Sequence, residues 1–296
     1  MKSPTLQCLC CGSSATFLFE TKNVTVFRCS NCGSLRVKHA SRDVNSDPWN
    51  MTSITPKFLD ALAYRRTLQA KQIIDAFAVY LRKGRLLDYG CGQGRFVDIL
   101  KANKFDASGC DISDTNVALP DDDNWFIRLH TYWEVPQQRG FYTISLLDVL
   151  EHSEFPGAFI DSLKAVKPKQ FLIKVPMRCG PIGTIAMLLI HIGRYGLMER
   201  LLLSGEISPH YTFFSSKGLV TLFNGLGYNL IKRRNIADVG KELPDRLRSK
   251  DGEPQIRGFI AKLTGAFLSW ISFAWSDTAV FLFEYRASDH PTTPRP

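Results

Sequence analysis

The sequence predicts an α/β chain: a mostly parallel sheet whose last strand runs antiparallel, preceded by a small metal-stapled module. Three observations predict it. Apolar runs ending at Asp88, Asp111, Asp148 and Pro176 alternate with helical stretches, the pattern of βαβ units with right-handed crossovers. The first of these runs turns through Gly90-Cys91-Gly92-Gln93-Gly94 into a helix, which makes a strand–turn–helix cradle for a ligand. Two Cys-x-x-Cys-Gly knuckles, Cys8–Gly12 and Cys29–Gly33, stand near the N-terminus.

Cys8, Cys11, Cys29 and Cys32 have the spacing of a zinc ribbon. Each knuckle points two thiolates at one ion, and two knuckles close a tetrahedral site. The 17 residues between them include Thr16–Phe19 and Val24–Phe27, which alternate like a short hairpin. Cys10 is the odd thiol, with the wrong spacing for a knuckle. A redox dithiol or an empty ribbon is the other reading, but some 40 residues hold a core poorly without a staple. Met1 to Gln7 has no apolar signal stretch, so a reducing cytoplasm is expected, and there clustered cysteines favour metal over disulfides. Charge is uneven. The chain carries a net +9, of which residues 1–84 hold +7 and residues 85–296 hold +2. An anionic partner or surface at the N-terminal part and plain solubility explain this equally well.

The predicted order is a ribbon over 1–40, a linker with cover helices over 41–84, a ligand-binding domain over 85–286, and a disordered tail over 287–296. Ser41 to Pro56 reads as a polar loop. Apolar residues from Phe58 to Leu81 run close to helical period, as one or two helices ending near Gly84. Arg65 and Arg66 are expected on a solvated face. Leu86 to Tyr89 is the first buried strand, and Arg95 to Asn103 its helix. Ala107 to Asp111, Phe126 to Leu129, Phe141 to Leu147 and Phe171 to Pro176 are the next strands, with a helix over Phe159–Val166. Gly90 and Gly92 suit positive φ and close ligand approach, and Gly94 suits close helix packing. No Lys-Ser/Thr follows the glycines, which excludes a P-loop, and Arg95 breaks the dinucleotide spacing. Asp111 lies 23 residues past Asp88, the interval at which a second strand end presents a ribose-binding carboxylate, with Ile112 beside an adenine face.

LLDYGCGQGRF, SGCDIS, DVLEH and a strand ending in VP together resemble the class I S-adenosylmethionine-dependent methyltransferases, including ubiquinone-type O-methyltransferases. Pro209 to Ser215, followed by Leu219 to Tyr228, resembles that group's His-x-x-x-Phe-Ser segment, helix and strand. The ribbon beside such a core resembles sugar C-methyltransferases of antibiotic pathways, which carry a further C-terminal domain. One departure is Tyr142, where the family usually places Asp. The resemblance implies a Rossmann-like sheet and S-adenosylmethionine as cofactor. It implies that Asp88, Gly90, Cys91, Gly92 and Gly94 hold the methionine part. It also implies that Asp111 and Ile112 hold the nucleoside, and that Asp148 lines the pocket near the sulfonium. Methyl transfer is an in-line displacement in which positioning carries much of the work. A hydroxyl or acidic carbon acceptor benefits from a base, for which His152, His210, Glu151 and Tyr211 are the candidates. Asp121-Asp122-Asp123 reads as a solvated loop, and the sequence indicates no catalytic metal.

Residues 178–210 are expected as a lid, in which the apolar Gly180 to Leu203 walls the methyl group. Residues 235–276 are a helical insertion, charged at first and then apolar and amphipathic over Phe259–Trp275. Ala279 to Tyr285 should pair antiparallel with Tyr228 to Arg233 as the last strand. The apolar segments favour a small-molecule or lipid-linked acceptor, with peripheral contact at the inner face of a membrane or packing on a second subunit. An RNA methyltransferase and a non-catalytic docking module are the competing functions. The ribbon lacks the aromatic-interleaved basic runs that nucleic acid favours.

Overall fold

The computed structural model describes residues 5–40, 56–112, 125–131, 133–203, 208–238, 240, 255–272 and 274–286. The loop expected over 41–55, Asp121–Asp123, residues 241–254 of the charged insertion and the tail over 287–296 lie outside the described residues.

The N-terminal module is an antiparallel sheet of β1 (Thr5–Gln7), β2 (Ser14–Glu20), β3 (Val24–Cys29) and β4 (Leu35–His39). The expected hairpin is β2–β3, with a register shift between Phe17 and Phe19. Gly12 and Gly33 turn each knuckle at φ 71° and 77°, where an L side chain is strained.

The core begins with one helix, α1 (Pro56–Leu81). Its Ile73, Phe77 and Leu81 recur at helical spacing and are buried with Phe96, Val97 and Leu100 of α2 (Arg95–Ala102). Between α1 and α2 lies β5 (Leu86–Tyr89), followed beyond α2 by β6 (Ala107–Asp111), β7 (Phe126–Arg128), β8 (Thr143–Leu147), α3 (Pro156–Leu163) and β9 (Gln170–Pro176). Two short helices follow, α4 (Pro181–Ile190) and α5 (Gly196–Leu201), then β10 (Thr212–Phe213), α6 (Ser216–Gly225), β11 (Tyr228–Ile236), α7 (Gln255–Ile271) and β12 (Thr278–Tyr285). The main sheet has the order β11-β12-β9-β8-β5-β6-β7. Strands β5 to β9 pair in parallel, and β12 is antiparallel to both β9 and β11. Every residue of β5 is buried and β9 is buried up to Val175, which is why both read as mostly apolar runs, broken only by Asp88, Gln170 and Lys174, rather than as alternating ones.

Two expectations need correction. Arg65 is not on a solvated face; it is 4% exposed, whereas Arg66 is exposed. Gly180 to Leu203 does not wall the methyl site. Its Ala186, Met187, Ile190, Met198 and Leu202 share a core with Phe19, Val24, Val26, Leu35 and Val37 of the ribbon. Tyr195 stacks on Phe19 at 5.0 Å, and Glu199 accepts the Thr21 hydroxyl at 2.6 Å. The buried apolar face of α4 packs on the ribbon sheet instead. The ribbon is also extended by the core: β10 pairs antiparallel with β4, setting Thr212 opposite Arg36 and Phe213 opposite Leu35.

Candidate active site

The site forms at the carboxyl ends of the parallel strands, where an open α/β sheet binds its ligands. After β5 the chain turns at Gly90, Gly92 and Gly94, with φ of 73°, 53° and 70°. Two of these glycines also face neighbours. A Cβ on Gly90 would come within 2.7 Å of Val149, and one on Gly94 within 2.3 Å of Trp125. Gly94 therefore makes room for Trp125 rather than for its own strand. A Cβ on Gly92 would meet nothing within 4 Å, so this glycine looks onto open space. The Gly92 N–H donates to Asp111 Oδ2 at 2.7 Å, tying the turn to the end of β6. Gly94 caps α2 without a side-chain acceptor, which leaves first-turn amides and the positive end of the helix facing the turn.

Asp88 lies beneath the turn, 3% exposed, and accepts the Ser145 hydroxyl at 2.6 Å. Burial pushes its carboxyl up to about 7, against the Ser145 hydrogen bond, with Asp111 and Asp148 adding repulsion. Asp148 sits at a left-handed φ of 59° and is ion-paired to Lys174 of β9. Its carboxylate is thus already engaged by a lysine that sequence reasoning passed over. The signal was present: Lys174 is the one charge inside the apolar run Gln170–Pro176. Ser145, Trp133 and Gln69 were also passed over.

These residues open on a cavity of about 950 Å³. Asp88, Gly90, Cys91, Gly92, Asp111, Ile112 and Asp148 all line it, and Gly94 does not. Helix α1 contributes Leu62, Arg66, Gln69 and Ile73 to its lining, and Trp133, His152, Phe155, Phe159, Ser208, Pro209 and Tyr211 line it as well. His152 Nδ1 lies 3.1 Å from both the Pro209 carbonyl and the Ser208 hydroxyl. Behind it, His210 is 8% exposed, and its Nδ1 lies 2.8 Å from the Leu201 carbonyl. The two rings meet edge to face at 4.8 Å. Burial lowers both imidazoles, His210 to about 3, and pushes the Glu151 carboxyl well up. Of the two expected catalytic histidines, only His152 reaches the cavity.

The cysteine cluster lies apart from this cavity. The sulfurs of Cys8, Cys11, Cys29 and Cys32 fall within 4.8 Å of one another, with Cys8–Cys32 at 3.6 Å and Cys11–Cys29 at 3.5 Å. A tetrahedral ion with bonds of about 2.3 Å sets sulfurs about 3.8 Å apart, so the four fit one zinc. The backbone N–H groups of Cys10 and Cys32 point at the Cys8 and Cys29 sulfurs, each at 3.4 Å, as suits thiolates.

A profile of the family described as "Methyltransferase domain" matches residues 62–233, from α1 through β11. The chain belongs to this family. It is a class I S-adenosylmethionine-dependent methyltransferase. No curated protein sequence matches this methyltransferase. Solved structures resemble it at low identity. An S-adenosylmethionine-dependent methyltransferase from Archaeoglobus fulgidus is 16% identical, covers 78% of this chain and all of its own, and has a TM-score of 0.46. The magnesium protoporphyrin IX methyltransferase of Synechocystis PCC 6803 with bound S-adenosylhomocysteine is 12% identical, covering 82% and 91%, at 0.47. The 1,6-didemethyltoxoflavin-N1-methyltransferase of Burkholderia thailandensis is 12% identical, covering 92% and 99%, at 0.47.

Proposed function

We propose that this methyltransferase acts on an apolar small-molecule or lipid-linked acceptor, at an O, C or N atom. The observation that carries the reading is the single continuous cavity. Its lining joins the glycine turn to the aromatic side chains of Trp133, Phe155, Phe159 and Tyr211, with His152 at its border. When bound, the cofactor supplies an electrophilic methyl on a sulfonium. The chain's own residues bind and orient. The open face of Gly92 and the uncapped start of α2 receive the methionine part, with its carboxylate at the positive helix end. Asp111 takes the ribose hydroxyls, and Ile112 lies against the base. The Asp148–Lys174 pair holds the floor between cofactor and acceptor.

The four ribbon cysteines hold one structural zinc in this reading. Cytoplasmic localisation with peripheral attachment to an anionic membrane is part of it too. Ile185, Leu188, Ile192, Phe267 and Trp270 are exposed, which supports such contact. The segments 178–203 and 255–275 that carry them hold five Lys and Arg against one acid, a charge that suits an anionic bilayer and opposes self-association. Among the described residues no helix is long and apolar enough to cross a membrane.

Labelled S-adenosylmethionine incubated with fractionated cell extract tests the acceptor class. Label in the lipid or small-molecule fraction is the expected result; label confined to RNA or protein overturns it. Co-sedimentation with anionic vesicles, weakened by salt and by Trp270→Ser, tests the attachment. Protein that stays in the supernatant at low salt refutes that part.

A further inference from the structure

Glu151-His152 and His210 are 58 residues apart in sequence, and the fold brings them together behind the acceptor end of the cavity. One carboxylate oxygen of Glu151 and one ring nitrogen from each histidine lie within 4.8 Å of one another. Glu151 is 1% exposed, and among the described residues its Oε2 has no hydrogen-bond partner. A buried carboxyl oxygen without a partner is rare and asks for a missing group. Lys174, the nearby cation of β9, is paired with Asp148. The histidines are held in one ring orientation each. His152 Nδ1 faces the Pro209 carbonyl and His210 Nδ1 the Leu201 carbonyl, at 3.1 and 2.8 Å. A ring N–H that donates to a backbone carbonyl leaves the other nitrogen with a free lone pair. Metal-bound histidines are held in this way.

We propose that Glu151, His152 and His210 bind one divalent transition-metal cation at the acceptor end of the cavity. Two imidazoles and a carboxylate suit manganese, iron, cobalt or zinc better than magnesium or calcium, which take oxygen ligands. A water or a bridging proton would satisfy Glu151 Oε2 alone; a cation satisfies all three groups at once. It also explains why a carboxyl and two neutral imidazoles are buried side by side where burial disfavours the charge of each. Three protein ligands leave coordination positions open, and His152 borders the cavity from which a further ligand can enter.

The use of this site rests on the transfer reading given above. A cation there lowers the pKa of an acceptor hydroxyl that reaches an open position. The hydroxyl proton passes to water. The oxygen–carbon bond forms as the donor's sulfur–carbon bond breaks, and the donor leaves as a neutral thioether. This selects an oxygen acceptor over carbon or nitrogen.

Cobalt(II) titrated into the full chain reads both ion sites in one experiment. The four-cysteine site takes one equivalent with intense sulfur-to-cobalt charge-transfer absorption. The site proposed here takes a second equivalent with only weak visible bands. Glu151→Gln and His210→Gln should each weaken the second equivalent at least tenfold and leave the first unchanged. Binding by the unaltered chain that stops at one equivalent overturns the proposal, and this measurement needs no variant to fold. So does a second equivalent that neither substitution weakens. S-adenosylhomocysteine calorimetry on the same samples separates the two readings. The product binding normally to a chain that takes one cobalt leaves the transfer reading standing and removes this one. A second cobalt without product binding does the reverse.

Discussion

Alanine at Gly92 and at Gly94 separates the two duties of the glycine turn. Both residues have positive φ, 53° and 70°, so alanine costs about 1–2 kcal/mol of backbone strain at either. At Gly94 the new Cβ also falls 2.3 Å from Trp125 Cη2, a rigid ring in the buried cluster with Phe96 and Val97. Overpacking of that kind adds about 1–3 kcal/mol, for a total of about 2–5. At Gly92 nothing stands within 4 Å, so the stability loss stays near 1–2 kcal/mol. The methyl instead occupies the space through which a ligand reaches the backbone. Denaturant unfolding measures the first effect, and calorimetric titration with S-adenosylhomocysteine the second. Gly94→Ala should lose the more stability. Gly92→Ala should stay folded and lose at least tenfold in affinity, about 1.4 kcal/mol. A Gly92→Ala chain that binds the product as tightly as the parent would show that the open face of the turn is not the cofactor's approach.

Asp111→Ala removes the acceptor of the Gly92 N–H together with the proposed ribose contacts, each worth about 1.5–3 kcal/mol. Its dissociation constant for S-adenosylhomocysteine should rise at least tenfold by calorimetry, and an unchanged value refutes the ribose assignment. Asp88 has a folded pKa raised to about 7 by burial, so its contribution to stability is complete below its unfolded value of about 4 and is lost as pH rises toward 7. Asp88→Asn should flatten that part of the stability–pH curve, by up to about 4 kcal/mol, while the buried histidines keep their opposite slope. Identical curves for the two chains would place the Asp88 carboxylate in a better solvated environment. Cys11→Ser should remove one zinc per chain by metal analysis and lower the midpoint of a single thermal transition, because the ribbon and the core share apolar clusters. A separate early transition for the ribbon would contradict that coupling.

Much of this architecture is legible because local rules and global fold agree. The strands that line the site carry Asp88, Asp111, Asp148 and Pro176 at or next to their carboxyl ends, and buried parallel strands announce themselves as mostly apolar runs. The turn is legible because its φ values demand glycine. The partners of these residues are less so. Asp148 looks like a free pocket carboxylate until β8 and β9 are set side by side and Lys174 appears next to it. Trp125 is an unremarkable aromatic until β7 carries it over Gly94. Periodicity places a side chain on a face, but it says nothing about which distant face meets it. That gap explains the misplaced lid as well. The apolar content of Gly180–Leu203 was plain, and its destination, the ribbon sheet, depended on a packing surface more than 140 residues earlier in the chain.

The same packing ties the ribbon to the chemistry of the site. Strand β4 adds β10, and Val37 donates its N–H to the Tyr211 carbonyl at 2.9 Å. His39 Nε2 lies 2.9 Å from the His210 carbonyl, and its ring meets Tyr211 edge to face. Ser215, which caps α6, donates its hydroxyl to the Cys32 carbonyl at 2.6 Å and accepts the Gly218 N–H at 2.9 Å. A Cβ on Gly218 would fall 2.1 Å from Ser34 Oγ, so α6 approaches the second cysteine knuckle as closely as a bare backbone allows. The segment Pro209–Ser215 thus runs between two anchors. On one side stand the cavity, which Pro209 and Tyr211 line, and the Glu151 backbone, whose carbonyl accepts the Tyr211 N–H at 2.8 Å. On the other stands the cysteine knuckle. A ribbon of about 40 residues has too little apolar surface to hold such an edge in place unaided. In the reading proposed above, one ion on the four thiolates would stiffen that edge, and the β4–β10 pairing would carry the stiffness to Tyr211 and His210. On this account the ribbon backs the segment that lines the cavity through Ser208, Pro209 and Tyr211, and the proposed ion would act on the site through position alone.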